Sequence, residues 1–250
     1  MLLVHGYGAA KEDFSHALDR LAERGWHAVA PDLRGHGESS GPDDEAAYSL
    51  DIFAGEILGL FDALGWERAV ALGHSMGGMA TQVAVLRAPE RFEALVLMDT
   101  SHGTVQGIDP EVRALAVKVA REEGMEALAD AMDAIGSPLD TPAWLELLER
   151  DPSQADYSRR KLLACSPHMY AAMATSLLAQ DDRLERLRSL RIPTLLMVGE
   201  TDDLFRSDCE RMAEAIPGAR LVVLPRGGHS PQFEVPDEWW SALLDFLDRL

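Results

Sequence analysis

The pentapeptide G-H-S-M-G at positions 73–77 decides the fold of this chain, because of what lies on either side of it. The apolar run at 69–72 before it predicts a buried strand, and the sequence M-A-T-Q-V-A-V-L at 79–86 after it predicts a helix. A sharp turn from strand to helix strains the central serine, and the glycines two positions away let the strand and the helix approach each other. The turn also presents the hydroxyl of Ser75 at a helix N-terminus, where developing negative charge is favoured. The pattern therefore predicts a nucleophilic serine.

Short apolar runs alternate with helical patterns along most of the chain. The runs that predict buried strands are residues 2–4, 28–30, 69–72, 95–98, 194–198 and 221–224. The helical patterns between and after them lie near 11–24, 51–64, 77–88, 205–215 and 236–250. This alternation predicts an α/β fold, with a mostly parallel sheet flanked by helices and an active site at the carboxyl ends of the strands.

The alternation stops after the fourth strand-like run, at 95–98, and only helical patterns follow up to residue 188. These patterns cover 111–123, 125–135, 144–150, 157–163 and 168–179. A segment of this length is too long for a loop. We therefore expect a helical cap at 101–188, inserted into a core formed by 1–100 and 189–250.

The composition restricts the classes of function. The 250 residues suffice for one α/β domain, and 47% hydrophobic with 26% charged residues is typical of a globular protein. The 42 acidic and 23 basic residues give a formal charge of -19. Such a surface repels nucleic-acid phosphates and anionic membranes, so we expect neither as a partner and interpret the acidity as a solvated surface.

The cysteines and the chain start suggest a cellular compartment. Cys165 and Cys209 cannot form a disulfide framework, and neither has a second cysteine at metal-ligand spacing. The sequence has no long apolar run of about 18 residues and no basic region followed by an apolar core at its start. We expect two reduced thiols, no metal site and a cytoplasmic protein.

A serine nucleophile needs a base, and the base needs an acid that orients it. Of the eight histidines, His229 follows the last predicted strand, on the glycine-rich loop R-G-G-H-S. The acid is expected between the serine and the base in sequence, at the end of the preceding strand. Asp202 is the first choice there, and Asp203 and Asp99 are the alternatives.

Acyl transfer also requires hydrogen-bond donors for the oxyanion of the tetrahedral intermediate. One donor is the backbone N–H of Met76, directly after the serine. The second is expected from the loop H-G-Y-G at 5–8, which follows the first predicted strand. The backbone N–H of Tyr7 is the best candidate in that loop.

Jointly these motifs resemble the α/β-hydrolase superfamily. The matching segments are H-G-Y-G at 5–8, P-D-L-R-G-H-G-E-S at 31–39, G-H-S-M-G-G at 73–78, V-G-E-T-D-D at 198–203 and G-G-H-S at 227–230. They follow the family's order of nucleophile, acid and histidine. The resemblance implies that Ser75, Asp202 and His229 form a catalytic triad, with Tyr7 and Met76 as the oxyanion hole.

The resemblance also narrows the chemistry. Haloalkane dehalogenases and epoxide hydrolases of this fold carry aspartate at the position of Ser75, so the serine argues against both classes of enzyme. The sequence also has no haem, flavin or G-x-G-x-x-G signature, so we expect no cofactor. The leading hypothesis is a serine hydrolase that cleaves a carboxylic ester of a small-molecule substrate through an acyl-enzyme. The alternatives are the same triad acting on a lactone, thioester, peptide or C–C bond, a lyase, or a non-catalytic small-ligand-binding module. The sequence defines neither the substrate nor the oligomeric state.

The start of the chain departs from the family pattern. Family members usually begin with an antiparallel strand pair, whereas Met1 lies directly in the strand that leads into H-G. The resemblance therefore implies either a shortened gene start or a protein that has lost its first two strands. In both cases we expect a sheet without these strands and an exposed edge beside 28–30, which favours aggregation. We expect reduced stability or pairing of that edge with another chain, and equal solubility of a chain extended upstream would contradict this.

Overall fold

A parallel five-stranded sheet forms the centre of the computed structural model, which describes residues 1–250. Its strands, in the spatial order of their numbers, are β1 (Leu2–Val4), β2 (Ala69–His74), β3 (Phe92–Met98), β4 (Thr194–Gly199) and β5 (Arg220–Leu224). Every neighbouring pair is parallel, so each connection must return along the sheet, and helices make these returns. The predicted α/β class is confirmed.

Helices cover the sheet and fill the interval between β3 and β4. The α-helices are α1 (Ser15–Glu23), α2 (Leu50–Ala63), α3 (Met76–Arg87), α4 (Pro110–Glu122), α5 (Gly124–Ile135), α6 (Pro142–Arg150), α7 (Ser153–Leu163), α8 (Pro167–Ala179), α9 (Leu184–Leu187), α10 (Arg206–Ala215), α11 (Pro231–Glu234) and α12 (Pro236–Leu247). Short 3-10 helices occupy Lys11–Phe14, Glu45–Ala47 and Pro89–Arg91. Each predicted helical pattern corresponds to one of these helices, with bounds that differ by a few residues.

Both faces of the sheet are buried, each in its own hydrophobic cluster. Neighbouring residues of β3 alternate between them: Leu95 belongs to the larger cluster and Val96 to the smaller one. α2, α3 and α10 contribute to the larger cluster, whereas α1 and α12 contribute to the smaller one through residues such as Leu21 and Trp239. Burial on both faces explains why the strands read as continuous apolar runs.

The prediction of a strand at 28–30 was wrong. Only Val29 pairs with the sheet, through an isolated parallel bridge to Leu2 and hydrogen bonds with Met1 and Leu3. The next residue but one is Pro31, which has no N–H to donate to a ladder. The segment therefore touches the edge of β1 without extending the sheet.

The interval between β3 and β4 is helical, as predicted. Met125, Met169 and Met173 from α5 and α8 are buried in the larger cluster, so this segment packs on the rest of the molecule. The division into a core and a cap at 101–188 stays a prediction.

No single helix is long and apolar enough to cross a membrane. Together α7 and α8 reach the required length and apolar composition, but they are bent by 97° relative to each other.

The carboxyl ends of the five strands lie along one edge of the sheet. The residues that follow these ends, and that the sequence analysis considered, are His5, Ser75, Asp99, Asp202 and His229. Parallel strands in this order bring them to neighbouring loops, where α/β proteins place their ligands.

Candidate active site

Ser75 occupies a strained turn between β2 and α3. Its backbone angles, φ 52° and ψ -120°, fall where side chains other than hydrogen are disfavoured. The neighbouring chain leaves no space for larger residues: a Cβ on Gly73 would lie 2.6 Å from the carbonyl oxygen of Gly77. The backbone of Ser75 is held by hydrogen bonds, since its N–H donates to Met98 at 2.9 Å and its carbonyl accepts from the Thr100 hydroxyl at 2.7 Å.

Ser75, His229 and Asp202 form a chain of hydrogen bonds. The Oγ of Ser75 lies 3.1 Å from Nε2 of His229, and Nδ1 of His229 lies 2.8 Å from Oδ2 of Asp202. Because a carboxylate only accepts, the ring proton is on Nδ1, and the lone pair of Nε2 faces the serine hydroxyl. The exposed fractions of the three residues are 7%, 6% and 1%, so water screens these interactions little. The structure thus brings together the three residues selected from the sequence.

Packing and hydrogen bonds orient the imidazole of His229. The ring of Phe205 stacks on it, with centroids 4.8 Å apart and an angle of 26° between the planes. The Nε2–H of His74 donates to the carbonyl oxygen of His229 at 2.7 Å. Burial and the neighbouring His229 lower the pKa of His74 to about 3, so His74 is a neutral structural donor. On the loop before His229, the N–H of Gly228 donates to the carboxyl of Glu234.

Two backbone N–H groups lie next to Ser75. Met76 is the first residue of α3, and N–H groups at a helix N-terminus are free to bind an anion. The loop after β1 passes against the serine, because a Cβ on Gly6 would lie 3.1 Å from the Cβ of Ser75. Tyr7 follows in this loop, and its backbone N–H donates to no acceptor within the chain. This arrangement is able to stabilise negative charge beside the serine oxygen.

The loop that carries Tyr7 is fixed from both ends. Nε2 of His5 accepts the N–H of Leu33 at 3.0 Å, and its Nδ1–H donates to the carbonyl of Gly6 at 2.8 Å. Burial lowers the pKa of His5, which favours this neutral form. The hydroxyl of Tyr7 donates to the carbonyl of Tyr170 at 2.6 Å, and the two rings stack with centroids 4.6 Å apart. The helix α8 therefore rests on the loop beside the serine.

The three candidate acids occupy different environments. Asp202 contacts His229, Asp203 is exposed, and Asp99 is buried at the end of β3. Oδ1 of Asp99 accepts the N–H of Gly199 at 2.8 Å. Burial, followed by the charge of Asp202, raises the pKa of Asp99 well above its ordinary value. Of the three, only Asp202 lies at hydrogen-bonding distance from the imidazole.

The ligating atoms of Asp99, Asp202 and His229 lie within 4.8 Å of one another, which is close enough to surround a cation. A metal ligand must offer a lone pair. Here Nδ1 of His229 carries the proton bonded to Asp202, and Nε2 faces Ser75. The group is therefore suited to holding a proton and does not fit a metal ion.

Sequence analysis missed two residues that support the site. Phe205 stacks on His229, and Glu234 holds the loop that carries it. Both lie in short segments with no motif, and glutamate is seldom buried, so nothing local distinguished them. The only available signal was their position in the sequence, since Phe205 follows Asp202 and Glu234 follows His229 within a few residues.

Several known proteins of similar sequence and structure are hydrolases by name, and others are named a synthase or a bromoperoxidase. An enol-lactonase from Burkholderia xenovorans LB400 superposes with a TM-score of 0.84 and 29% identity, covering 99% of this chain and 91% of that one. A thermophilic esterase from Thermogutta terrifontis superposes with a TM-score of 0.85 and 28% identity, covering 99% and 89%. Epoxide hydrolase A from Mycobacterium tuberculosis is 24% identical over 294 residues, which cover 100% of this chain and 90% of that protein.

A family model extends this similarity over most of the chain. The model described as alpha/beta hydrolase fold matches residues 1–236. The match spans the turn at Ser75, the loop at Asp202 and the loop at His229, in the order that the motifs predicted. The chain therefore belongs to the alpha/beta hydrolase family.

Proposed function

We propose that this protein is a serine hydrolase that cleaves a carboxylic ester through an acyl-enzyme. The observation that carries the proposal is the buried hydrogen-bond chain from Ser75 through His229 to Asp202. The strained turn that exposes Ser75 to two backbone donors supports the same role. Membership in the alpha/beta hydrolase family agrees with hydrolytic chemistry.

The first half of the reaction forms the acyl-enzyme. Oγ of Ser75 attacks the ester carbonyl carbon while Nε2 of His229 takes the hydroxyl proton. The carbonyl oxygen becomes an oxyanion, which accepts hydrogen bonds from the backbone N–H groups of Met76 and Tyr7. The imidazolium then gives its proton to the leaving alcohol, and the C–O bond of the ester breaks. Asp202 holds the Nδ1–H throughout and stabilises the charged ring.

The second half returns the enzyme to its starting state. His229 takes a proton from water, and the hydroxide oxygen attacks the acyl carbon bonded to Ser75. The same two backbone donors stabilise the second oxyanion. Collapse of this intermediate releases the carboxylic acid, and the imidazolium returns the proton to the serine oxygen.

The helical segment between β3 and β4 is proposed to act as a cap that selects the substrate. Tyr170 of α8 contacts Tyr7, and the Thr141 hydroxyl at the start of α6 lies 3.4 Å from a carboxyl oxygen of Glu234. Both contacts lie next to loops that carry proposed catalytic groups. Because Ser75 is only 7% exposed, we expect a substrate that reaches it to pass beside these helices.

A lactone is the second candidate substrate, because the enol-lactonase is 29% identical over 99% of this chain. A lactone is a cyclic ester and reacts by the same steps. An epoxide is a poorer match to this site. Attack on an epoxide by a carboxylate forms an ester that water can cleave, whereas attack by Ser75 would form an ether that the same site has no means to hydrolyse.

The test uses p-nitrophenyl esters of increasing acyl length, a set of lactones, and the variants Ser75→Ala and Asp202→Asn. We expect Ser75→Ala to lower kcat by about 10⁴–10⁶ and Asp202→Asn by about 10³–10⁴. An alkyl fluorophosphonate should label the wild type once, on Ser75, and should leave Ser75→Ala unlabelled in intact-mass spectra. Undiminished turnover by folded Ser75→Ala would overturn the serine mechanism. Neither labelling nor turnover by the folded wild type would favour a ligand-binding module.

A further inference from the structure

The end of β3 carries a buried carboxyl that the proposed mechanism does not use. Asp99 has an exposed fraction of 0% and a φ of 45°, in the left-handed region. Its backbone N–H donates to Met197 at 2.9 Å, and its Oδ1 accepts the N–H of Gly199 at 2.8 Å. Its other oxygen, Oδ2, is buried and has no donor within the chain. A buried carboxylate oxygen without a donor is costly, so this position needs an explanation.

The group that faces Asp99 is a second carboxyl. Ligating atoms of Asp99, Asp202 and His229 lie within 4.8 Å of one another, so the two carboxyls are close neighbours in a buried site. Two carboxylates in contact repel each other and have no hydrogen to share. One proton between them removes the repulsion and gives the unpaired oxygen a partner.

The surroundings decide which carboxyl holds that proton. Asp202 accepts the Nδ1–H of His229, an interaction that requires it to be the acceptor. The other ionisable groups near Asp99 are His229, within 4.8 Å, Cys209 on α10 and Glu234 on α11. His229 must offer the lone pair of Nε2 to the Ser75 hydroxyl, so none of the three is a cation before the reaction starts. Burial raises the pKa of the Cys209 thiol, which leaves it neutral. Asp99 therefore has one backbone donor and no positive partner to hold it as an anion.

We propose that Asp99 is a positioning residue that stays protonated and donates a hydrogen bond from Oδ2 to Asp202. This inference rests on the proposed roles of Asp202 and His229. This hydrogen bond fixes the orientation of the Asp202 carboxylate, so that Oδ2 of Asp202 stays directed at Nδ1 of His229. A neutral Asp99 does this without adding a second negative charge beside His229. Its unfavourable φ is kept because β3 and the Gly199 N–H hold it in place.

Two substitutions test the role in the reaction. Asp99→Leu keeps the branched side-chain shape but removes the donor to Asp202 and the acceptor of the Gly199 N–H, and we expect kcat to fall about tenfold while KM stays within twofold. Asp99→Asn offers an amide N–H to Asp202 and an amide oxygen to the N–H of Gly199, so we expect it to restore most of that loss. Equal kcat for Asp99→Leu and the wild type would overturn the positioning role.

The pH profile tests the charge of Asp99. If Asp99 is neutral, Asp99→Asn removes no charge, and the acidic limb of kcat/KM stays within about 0.3 pH unit of the wild type. If Asp99 were ionised, its removal would make the imidazolium of His229 easier to deprotonate. The acidic limb would then move to lower pH by about one unit, and that result would overturn the proposal.

Infrared difference spectroscopy gives a readout that does not depend on turnover. The spectrum of the wild type minus that of Asp99→Asn at neutral pH should contain the C=O stretch of a protonated carboxylic acid. A carboxylate band in its place would overturn the proposal, even if Asp99→Leu fails to fold. Failure of the proposed function is seen separately, as turnover or labelling that persists in Ser75→Ala.

Discussion

The backbone strain at Ser75 should be measurable as stability. With φ 52° and ψ -120°, an L-residue at this turn costs about 1–3 kcal/mol relative to a relaxed conformation. Ser75→Gly removes that cost but gains chain freedom in the unfolded state, which offsets about 0.5–1 kcal/mol. Ser75→Ala keeps the strain. Both variants lose the hydrogen bond to Nε2 of His229, so their difference isolates the backbone.

We expect Ser75→Gly to be more stable than Ser75→Ala by about 1 kcal/mol, within the range of about 0–2.5 kcal/mol that these two contributions allow. For a chain of this size, about 1 kcal/mol corresponds to a Tm higher by about 2–4 °C. Thermal and urea unfolding followed by circular dichroism measure it, and neither variant should turn over an ester. A matched control is Ala164→Gly, at an exposed position with an ordinary φ of -83°, where glycine should lower stability by about 0.5–1 kcal/mol.

Unfolding of Ser75→Gly at a lower temperature than Ser75→Ala would refute strain at Ser75. The cost of the backbone conformation would then be smaller than the chain entropy that glycine adds to the unfolded state. In that case the turn would not be the strained element on which the presentation of the nucleophile depends.

Three further outcomes follow from the same structure. The kcat/KM for ester hydrolysis should increase between about pH 5 and 8, since imidazolium cannot take the proton of Ser75, and a flat profile would contradict His229 as the base. Lys161 on α7 pairs with buried Asp13, so Lys161→Met should destabilise the protein by about 3–5 kcal/mol in urea unfolding, whereas a double variant with Asp13→Leu should recover most of the loss. The raised pKa of Asp99 means that the folded chain binds a proton that the unfolded chain has released, so its contribution to stability decreases as pH rises above the unfolded value. Between the pKa of Asp99 in the unfolded chain and its raised pKa in the folded chain, the free energy of unfolding of the wild type should therefore fall relative to Asp99→Asn by about 1.4 kcal/mol per pH unit. Parallel curves of unfolding free energy against pH for the two proteins would exclude a protonated Asp99.

Local patterns predicted most of the fold for two reasons. Parallel strands buried on both faces are continuous apolar runs, and the apolar residues of helices recur every three to four positions. Five of the six predicted strands formed, and the helices between β3 and β4 lie where their patterns were. The strand predicted at 28–30 did not form, because Pro31 has no N–H to donate to a neighbouring strand. The effect of this missing donor depends on which strand lies beside the segment. Short apolar runs at the margin of a sheet carry too little local information to decide pairing.

The motifs predicted which residues belong to the candidate site, but not how they are arranged. G-H-S-M-G and R-G-G-H-S each place one side chain relative to its own strand, so Ser75 and His229 were identified from local sequence. Asp202 was preferred from its position after the fourth strand, but Asp203 and Asp99 stayed as alternatives, since each also follows the end of a predicted strand. Which of the three contacts the imidazole depends on burial and on distance, which local sequence does not contain.

The sequence by itself determined the class of fold, the order of the candidate catalytic groups and the turn that strains Ser75, because each of these is encoded within a few consecutive residues. Only the tertiary structure decided that Asp202 contacts His229, that Phe205 stacks on the ring, and that Asp99 is buried against Asp202. These contacts join residues from different strand ends, up to 103 positions apart for Asp99 and Asp202 (202 minus 99). The order of the parallel strands in the sheet sets such distances, and that order is a property of the packed chain.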